Sequence, residues 1–326
     1  MSWSFKEAPG TQSRVVPGNP VGERPLIKRG SSFIRARLAM LPMSNSRIFI
    51  LTSLAMFAFA GNSILCRLAL KHTEIDATSF TTIRLISGAL VLLFIARIKR
   101  STSSGKGSWL SAIALFVYAS GFSFAYISLP AATGALLLFG AVQVTMIGYG
   151  IWSGERFRKL QLFELLLAFG GLVGLLLPGL SAPPIFGSVL MFGAGVAWGI
   201  YSLRGKNGGD PTRVTAGNFL RAVPITAALS LFMLRGSSLD TAGLWYAILS
   251  GALASGVGYA IWYTVVPQLK AAKAATVQLS VPIIAAIGGV LFLGESLTLR
   301  LVMASVAILG GIALVILEKQ RVIDTQ

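Results

Sequence analysis

The chain has little that could react. Its 326 residues include one cysteine, Cys66, and one histidine, His72. A lone cysteine excludes an internal disulfide framework, and a lone histidine excludes a multi-histidine metal site. Acidic residues number 11, and few of them fall inside apolar stretches. There is no H-E-x-x-H and no G-x-S-x-G. The nearest approach to a phosphate-binding loop, Gly199 to Gly205-Lys206, has the wrong spacing and ends in Asn207 instead of Ser or Thr. The glycines at 193, 195 and 199 miss the dinucleotide fingerprint by one position. No acid–base or metal constellation is visible, so neither an enzyme nor a bound cofactor is expected.

Charge is scarce as well. Charged residues make up 12% of the chain, against about 25% in an ordinary soluble domain. Hydrophobic residues make up 54%, and mean hydropathy is +0.75. These values imply an integral membrane protein. The net charge of +17 would suit nucleic acid, but the Lys and Arg residues sit between apolar runs, chiefly on alternate connections. The expected partners are therefore the lipid bilayer and a small solute, with no nucleic acid. The oligomeric state is open, and a homodimer is compatible with it.

Residues 1–46 are a separate region with Pro9, Pro17, Pro20 and Pro25 and scattered basic residues. Too little of it is apolar to build a core, so a disordered basic tail is expected. It lacks the apolar run and cleavage site of a signal peptide. Met43 is an alternative start, and Lys28, Arg29, Arg35 and Arg37 could touch anionic lipid.

Ten apolar runs follow, at 48–66, 79–97, 109–128, 132–152, 160–178, 184–203, 214–234, 242–264, 272–293 and 299–317. Each is near the roughly 20 residues that a helix needs to span a bilayer. Strict alternation over about ten residues, the mark of a membrane β-strand, is absent from the pattern. Outside the tail, Lys and Arg divide 14 to 4 between the two sets of connections. That bias predicts cytoplasmic termini, with residues 319–326 as a short cytoplasmic C-terminal tail.

The chain also repeats itself. Residues 131–155 and 271–295 both open on Ala-Ala and close on Gly-Glu, 140 positions apart. Arg84 and Arg221 are 137 apart, and Trp109 and Trp245 are 136 apart. The pattern predicts two five-helix units, 47–181 and 182–318. Five is odd, so the second unit enters the membrane from the opposite side. Two inverted five-helix repeats in an all-α membrane protein support one state open to each side of a site at the repeat interface.

Taken together, these features resemble the drug/metabolite transporter superfamily, and within it the EamA-type transporters. The resemblance spans roughly residues 48–318. It implies a bacterial inner-membrane carrier for small organic solutes, often amino acids or related metabolites and commonly exported, with a central cavity between the halves. A channel, or a structural membrane subunit without transport, is the alternative.

Candidate solute-binding residues are the polar and aromatic groups within the runs: Asn62, Arg84, Tyr118, Gln143, Trp198, Tyr201, Asn218, Arg221, Tyr259 and Gln278. Lipid offers them no hydrogen bonds, so each bonds another helix or faces a cavity. For Arg84 and Arg221 two roles are open: bonding carbonyls at neighbouring helix ends, or setting a positive potential for a carboxylate-bearing solute. Glu164 is the deepest acid and a candidate for ion coupling. Pro130, Pro267 and Pro282 could mark bends. The pairs Gly170/Gly174, Gly195/Gly199 and Ala254/Gly258 have the spacing of close helix contacts.

Overall fold

A computed structural model describes residues 43–99, 105–153, 166–167, 170–171, 173–175, 177, 182–205, 210–269, 274 and 277–324. The N-terminal region, Glu155 and Glu164 lie outside the described residues. Among the described residues every regular element is helical. The helices are α1 (Asn45–His72), α2 (Ala77–Ile98), α3 (Trp109–Tyr126), α4 (Ala131–Trp152), α5 (Ile185–Arg204), α6 (Pro211–Phe232), α7 (Thr241–Val265), α8 (Ser280–Leu293) and α9 (Leu299–Asp324). Seven of them, α1 to α7, are long and apolar enough to cross a membrane, and α8 and the first part of α9 are shorter apolar helices. The expected run at 160–178 lies mostly outside the described residues, with helical turns at 166–167, 170–171 and 173–175.

Polar residues set the helix starts. Ser44, Asp76, Ser108, Asp210 and Asp240 each accept a hydrogen bond from a first-turn backbone N–H. Three of the scarce acids are thus helix caps. Pro211 opens α6, where no donor is missed. Gly294, at φ +62°, ends α8 in the left-handed conformation that favours glycine.

Several boundaries differ from expectation. α1 runs on to His72, which ends the helix instead of lying in a loop. The extension is held because Arg67 and Lys71 find acceptors on neighbouring helix ends. α8 begins at Ser280; in the expected run from 272, residues 274 and 277–278 are helical, and 272–273 and 275–276 lie outside the described residues. Pro282 falls in the first turn of α8, Pro267 in a 3-10 turn that follows α7, and Pro130 just before α4. Pro224 lies inside α6.

α3 packs along α5, α2 along α6, and α1 along α7. α4 lies against α5 and α8, and α8 also against α1. α3 touches α6, and α2 touches α7. Glycines permit the closest approaches. A Cβ on Gly195 would stand 2.5 Å from the Leu138 carbonyl oxygen, and one on Gly199 would stand 2.8 Å from Thr145 Cβ. A Cβ on Gly258 would come within 2.9 Å of Ala58 Cβ. Gly170 and Gly174 behave differently: a Cβ on either meets nothing within 4 Å. They line an apolar groove of about 780 Å³ with α9. Thr82 on α2 bonds Thr226 at 2.9 Å and Ser230 at 2.8 Å on α6, which satisfies hydroxyls that lipid could not. The paired tryptophans, Trp109 and Trp245, stand at the starts of α3 and α7 and are 57% and 58% exposed, as membrane-interface residues should be.

Within α7, residues Ser250–Val257 form a π-helical stretch. Its sequence, SGALASGV, is rich in small residues. The wider turn presses on α2, and π-helical turns often occur at functional sites.

Asp76 ties two connections together. Its Oδ1 accepts from Thr78 N at 2.9 Å and Ser79 N at 3.0 Å, and its Oδ2 accepts from Ser238 N at 3.0 Å. Partial burial pushes the carboxyl up, but hydrogen bonds from Ser79, Ser238 and Thr78 outweigh it and hold Asp76 below its ordinary value. Asp76→Ala is expected to cost about 1–2 kcal/mol. The carboxylate's contribution is complete above the ordinary carboxyl value and is lost as pH falls through the lowered folded value. Melting of purified wild type and variant in detergent from about pH 6 to about pH 3 checks this: their difference in stability should narrow at the acid end.

Candidate functional site

Midway through the bundle, α1, α2, α3, α5 and α7 turn polar and aromatic groups toward one point. Asn62 on α1, Arg84 on α2, Tyr118 on α3 and Tyr259 on α7 are each at most 5% exposed. Arg84 Nη2 donates to Tyr118 Oη at 2.9 Å, and Asn62 Nδ2 donates to the same oxygen at 3.3 Å. Ser250 Oγ donates to Asn62 Oδ1 at 2.6 Å. Arg84 Nε donates to Ser255 Oγ at 3.4 Å. The two serines come from the π-helical stretch of α7.

Aromatic rings complete the surroundings. The Arg84 guanidinium carbon lies 4.9 Å from the Phe122 ring centroid and 5.2 Å from that of Tyr118, within range of cation–π attraction. Trp198 on α5 packs against Tyr118 at 4.8 Å and Tyr259 at 5.2 Å and stacks on Tyr201 at 5.3 Å. Between these rings and Asn62 is a cavity of about 20 Å³, also bounded by Phe59, Leu138, Phe139 and Ala254. That is about the space of one water molecule.

Hydrogen-bonded clusters join helices toward each end of the bundle. At one end Glu295, just beyond α8, receives Ala131 N on Oε2 at 2.7 Å and pairs through Oε1 with Arg67 Nε at 3.3 Å. Arg67 Nη1 donates to the carbonyls of Tyr126 and Ile127 at 2.8 and 2.9 Å, and Lys71 Nζ donates to Leu293 O at 3.4 Å. One carboxylate and two cations thus join the ends of α1, α3, α4 and α8. Among the described residues Arg67–Glu295 is the only ion pair.

At the other end the connection between α2 and α3 folds in beside α6. Asn218 Oδ1 accepts from Ser108 N at 2.8 Å, and Asn218 Nδ2 donates to Tyr201 Oη at 3.4 Å. Arg221 Nη1 donates to the carbonyls of Lys106 and Gly217. Gly107 has φ +67°, and a Cβ there would be 2.6 Å from Asn218 Oδ1. A Cβ on Gly217 would be 2.4 Å from Lys106 O.

The candidates therefore separate. Asn62, Arg84, Tyr118, Trp198 and Tyr259 converge, and Tyr201 links them to Asn218. Arg221 clamps a connection at the bundle end. Gln143 is buried on α4 and, like Arg84 and Tyr201, is not among the residues that bound the cavity. Gln278 Nε2 donates to Ala274 O four residues earlier, at 3.3 Å. The residues that spacing did not single out are Phe59, Phe122, Ser250 and Ser255, with Arg67 at the bundle end. The small-residue run SGALASGV inside an apolar span was the available signal for the two serines.

The fold and the sequence both have relatives. A solved crystal structure superposes with a TM-score of 0.59 at 17% identity, covering 86% of this chain and 99% of that one, which is a likeness of fold. The EamA-like transporter family matches residues 185–317. An uncharacterized protein of Pseudomonas aeruginosa, PA1977, is 56% identical over 275 residues, 84% of this chain and 96% of that one. The chain belongs to the EamA-like transporter family. Two further relatives share less with this EamA-like chain. The threonine/homoserine exporter RhtA of Escherichia coli K12 is 34% identical over 149 residues, 43% of this chain and 49% of that protein. The uncharacterized transporter YoaV of Bacillus subtilis is 22% identical over 257 residues, 73% and 87% of the two chains. This EamA-like chain is accordingly a multi-pass membrane transporter by family.

Proposed function

We propose that this chain is a secondary transporter that carries a small, amino-acid-like metabolite out of the cytoplasm across the bacterial inner membrane by alternating access. The observation that carries the reading is the central polar and aromatic cavity, with separate clusters joining helices toward each end of the bundle. Such a conformer is the occluded intermediate between two states, each open on one side. Parting the Arg67–Glu295 cluster would open one end, and withdrawing the Gly107–Asn218 connection would open the other. The named substrates of the RhtA relatives, threonine and homoserine, support an amino-acid-like cargo.

On this reading the halves, 47–181 and 182–318, are inverted copies and both termini are cytoplasmic. The helix pairings support the inversion. Exchanging α1–α4 for α5–α8 turns α3 on α5 into α7 on α1, α4 on α5 into α8 on α1, and α3 on α6 into α7 on α2. The pairs α2 on α6 and α4 on α8 map onto themselves. An arrangement with that symmetry can hold its site fixed while the halves rock.

The test is counterflow in proteoliposomes. Vesicles loaded with unlabelled L-threonine and diluted into labelled L-threonine should accumulate label transiently, with saturation. Flux that rises linearly with concentration and ignores internal solute would favour a channel. A panel of amino acids with no protein-dependent flux would end the amino-acid-like cargo reading.

A further inference from the structure

We propose that Arg84 is the anion-binding group of the central site, so that the cargo must present a carboxylate. The inference rests on the transporter reading above and adds the chemical class that the site selects. It comes from counting donors against acceptors. Arg84 is 1% exposed, and among the described residues no acid pairs with it. Its Nη1 is buried and has no hydrogen-bond partner. Its other contacts are hydroxyl oxygens and ring faces.

Tyr118 Oη already accepts from Arg84 and from Asn62, so its own proton points away from both. Ser255 Oγ likewise accepts from Arg84. The one amide oxygen in the group, Asn62 Oδ1, is taken by Ser250. The site is thus rich in donors and poor in acceptors around a permanent positive charge. A buried guanidinium without a counter-ion is costly. The group that completes this arrangement accepts on several lone pairs, donates nothing and carries negative charge. A carboxylate does all three, and Nη1 can give it a charge-assisted hydrogen bond. Trp198, Tyr259 and Phe122 give the remainder of the cargo an aromatic wall.

Arg84 and Arg221 are the matched arginines of the two halves, and only Arg84 has this surplus. Arg221 is partly exposed and spends Nη1 on the Lys106 and Gly217 carbonyls, so its remaining N–H groups are not sealed from solvent as Arg84 Nη1 is. The cavity, at about 20 Å³, admits no such cargo and is not bounded by Arg84 itself, so binding must part the Tyr118 and Phe122 rings that lie against the guanidinium.

The experiment uses the full-length protein and three probes of nearly one size: L-threonine, L-threoninamide, and 3-hydroxybutyrate, which keeps the carboxylate and lacks the amine. Binding is read by thermal shift and by intrinsic tryptophan fluorescence, and transport by proteoliposome competition. Wild type should favour L-threonine over L-threoninamide by roughly 10- to 100-fold, the weight of a charged hydrogen-bonded pair. 3-Hydroxybutyrate should compete better than the amide. Arg84→Gln should abolish the preference for the acid while leaving the melting temperature without ligand near that of wild type, and Arg84→Lys should restore part of the preference. Should Arg84→Gln fail to fold, the wild-type probe series and Arg84→Lys still decide. Saturable flux that treats threonine and threoninamide alike would overturn the carboxylate assignment and leave the transporter reading standing. An unchanged preference in Arg84→Gln would overturn it too. No flux and no binding for any amino acid would remove both the carboxylate assignment and the amino-acid-like cargo.

Discussion

Replacing Glu295 with alanine is expected to make Cys66 chemically reactive. Cys66 is the only cysteine in the chain, is fully buried, and stands one residue before Arg67. Glu295 holds Arg67 and caps α4 through Ala131 N. Removing the carboxylate strands the guanidinium and uncovers the first N–H of α4 in one step. The side chains are 9% and 11% exposed, so the cost falls short of that for a fully buried pair. A loss of about 2–4 kcal/mol in the stability of the closed end is expected. The share of time that end stands open should then rise by at least about tenfold. The rate at which a small maleimide alkylates Cys66 in membranes measures this. Glu295→Gln keeps the size of the group and should show a smaller rise. Equal labelling of wild type and Glu295→Ala would mean that the cluster does not hold the end shut.

A second large effect is expected at Gly251, in the π-helical stretch of α7. A Cβ there would stand 2.0 Å from Ser87 Oγ and 2.2 Å from the Arg84 carbonyl oxygen. The serine can rotate, but the carbonyl belongs to the backbone of α2 and cannot move alone. Gly251→Val must therefore push α7 away from α2, and it shifts Arg84 relative to Tyr118 and Ser255. Overpacking of this kind costs about 1–3 kcal/mol or more, so a clear fall in melting temperature and in folded yield is expected. Gly61 on α1 is the control, because a Cβ there meets nothing within 4 Å. Gly61→Ala should be neutral or stabilise by up to about 1 kcal/mol through helix propensity. Detergent-solubilised melting of both variants gives the comparison, and equal melting would contradict the close approach.

Arg84 and Arg221 show what was legible in the sequence. Spacing marked both as cations within apolar runs and gave their rough depth. It could not give rotation about the helix axis or the path of a connection. Arg84 faces other helices, whereas Arg221 meets a connection that folds inward because Gly107 and Gly217 carry no Cβ. Composition and hydropathy made the helices readable, since lipid demands apolar length. The site was half readable: Asn62, Tyr118, Trp198 and Tyr259 stood out as polar or aromatic groups in apolar runs. Ser250 and Ser255 did not, because hydroxyls are common in membrane helices and no periodicity announces a π turn. Glu295 stood out only as half of a repeated Gly-Glu, and its bond to Arg67 joins residues 228 apart in sequence.

The wide turn in α7 also contributes to an irregularity in spacing. The matched tryptophans are 136 residues apart and the matched Ala-Ala pairs 140, so four residues are gained between these landmarks. α3 runs 18 residues from Trp109 to Tyr126, while α7 begins four residues before Trp245, runs 21 residues from it to Val265 and is followed by a 3-10 turn. A π turn stores surplus chain without interrupting the helix. On the proposed reading of two inverted copies, the later copy has lengthened at its third member, next to Arg84 and Asn62. If the two copies exchange roles as proposed, the partner conformer would differ in shape, and cargo would meet unequal walls on arrival and on departure.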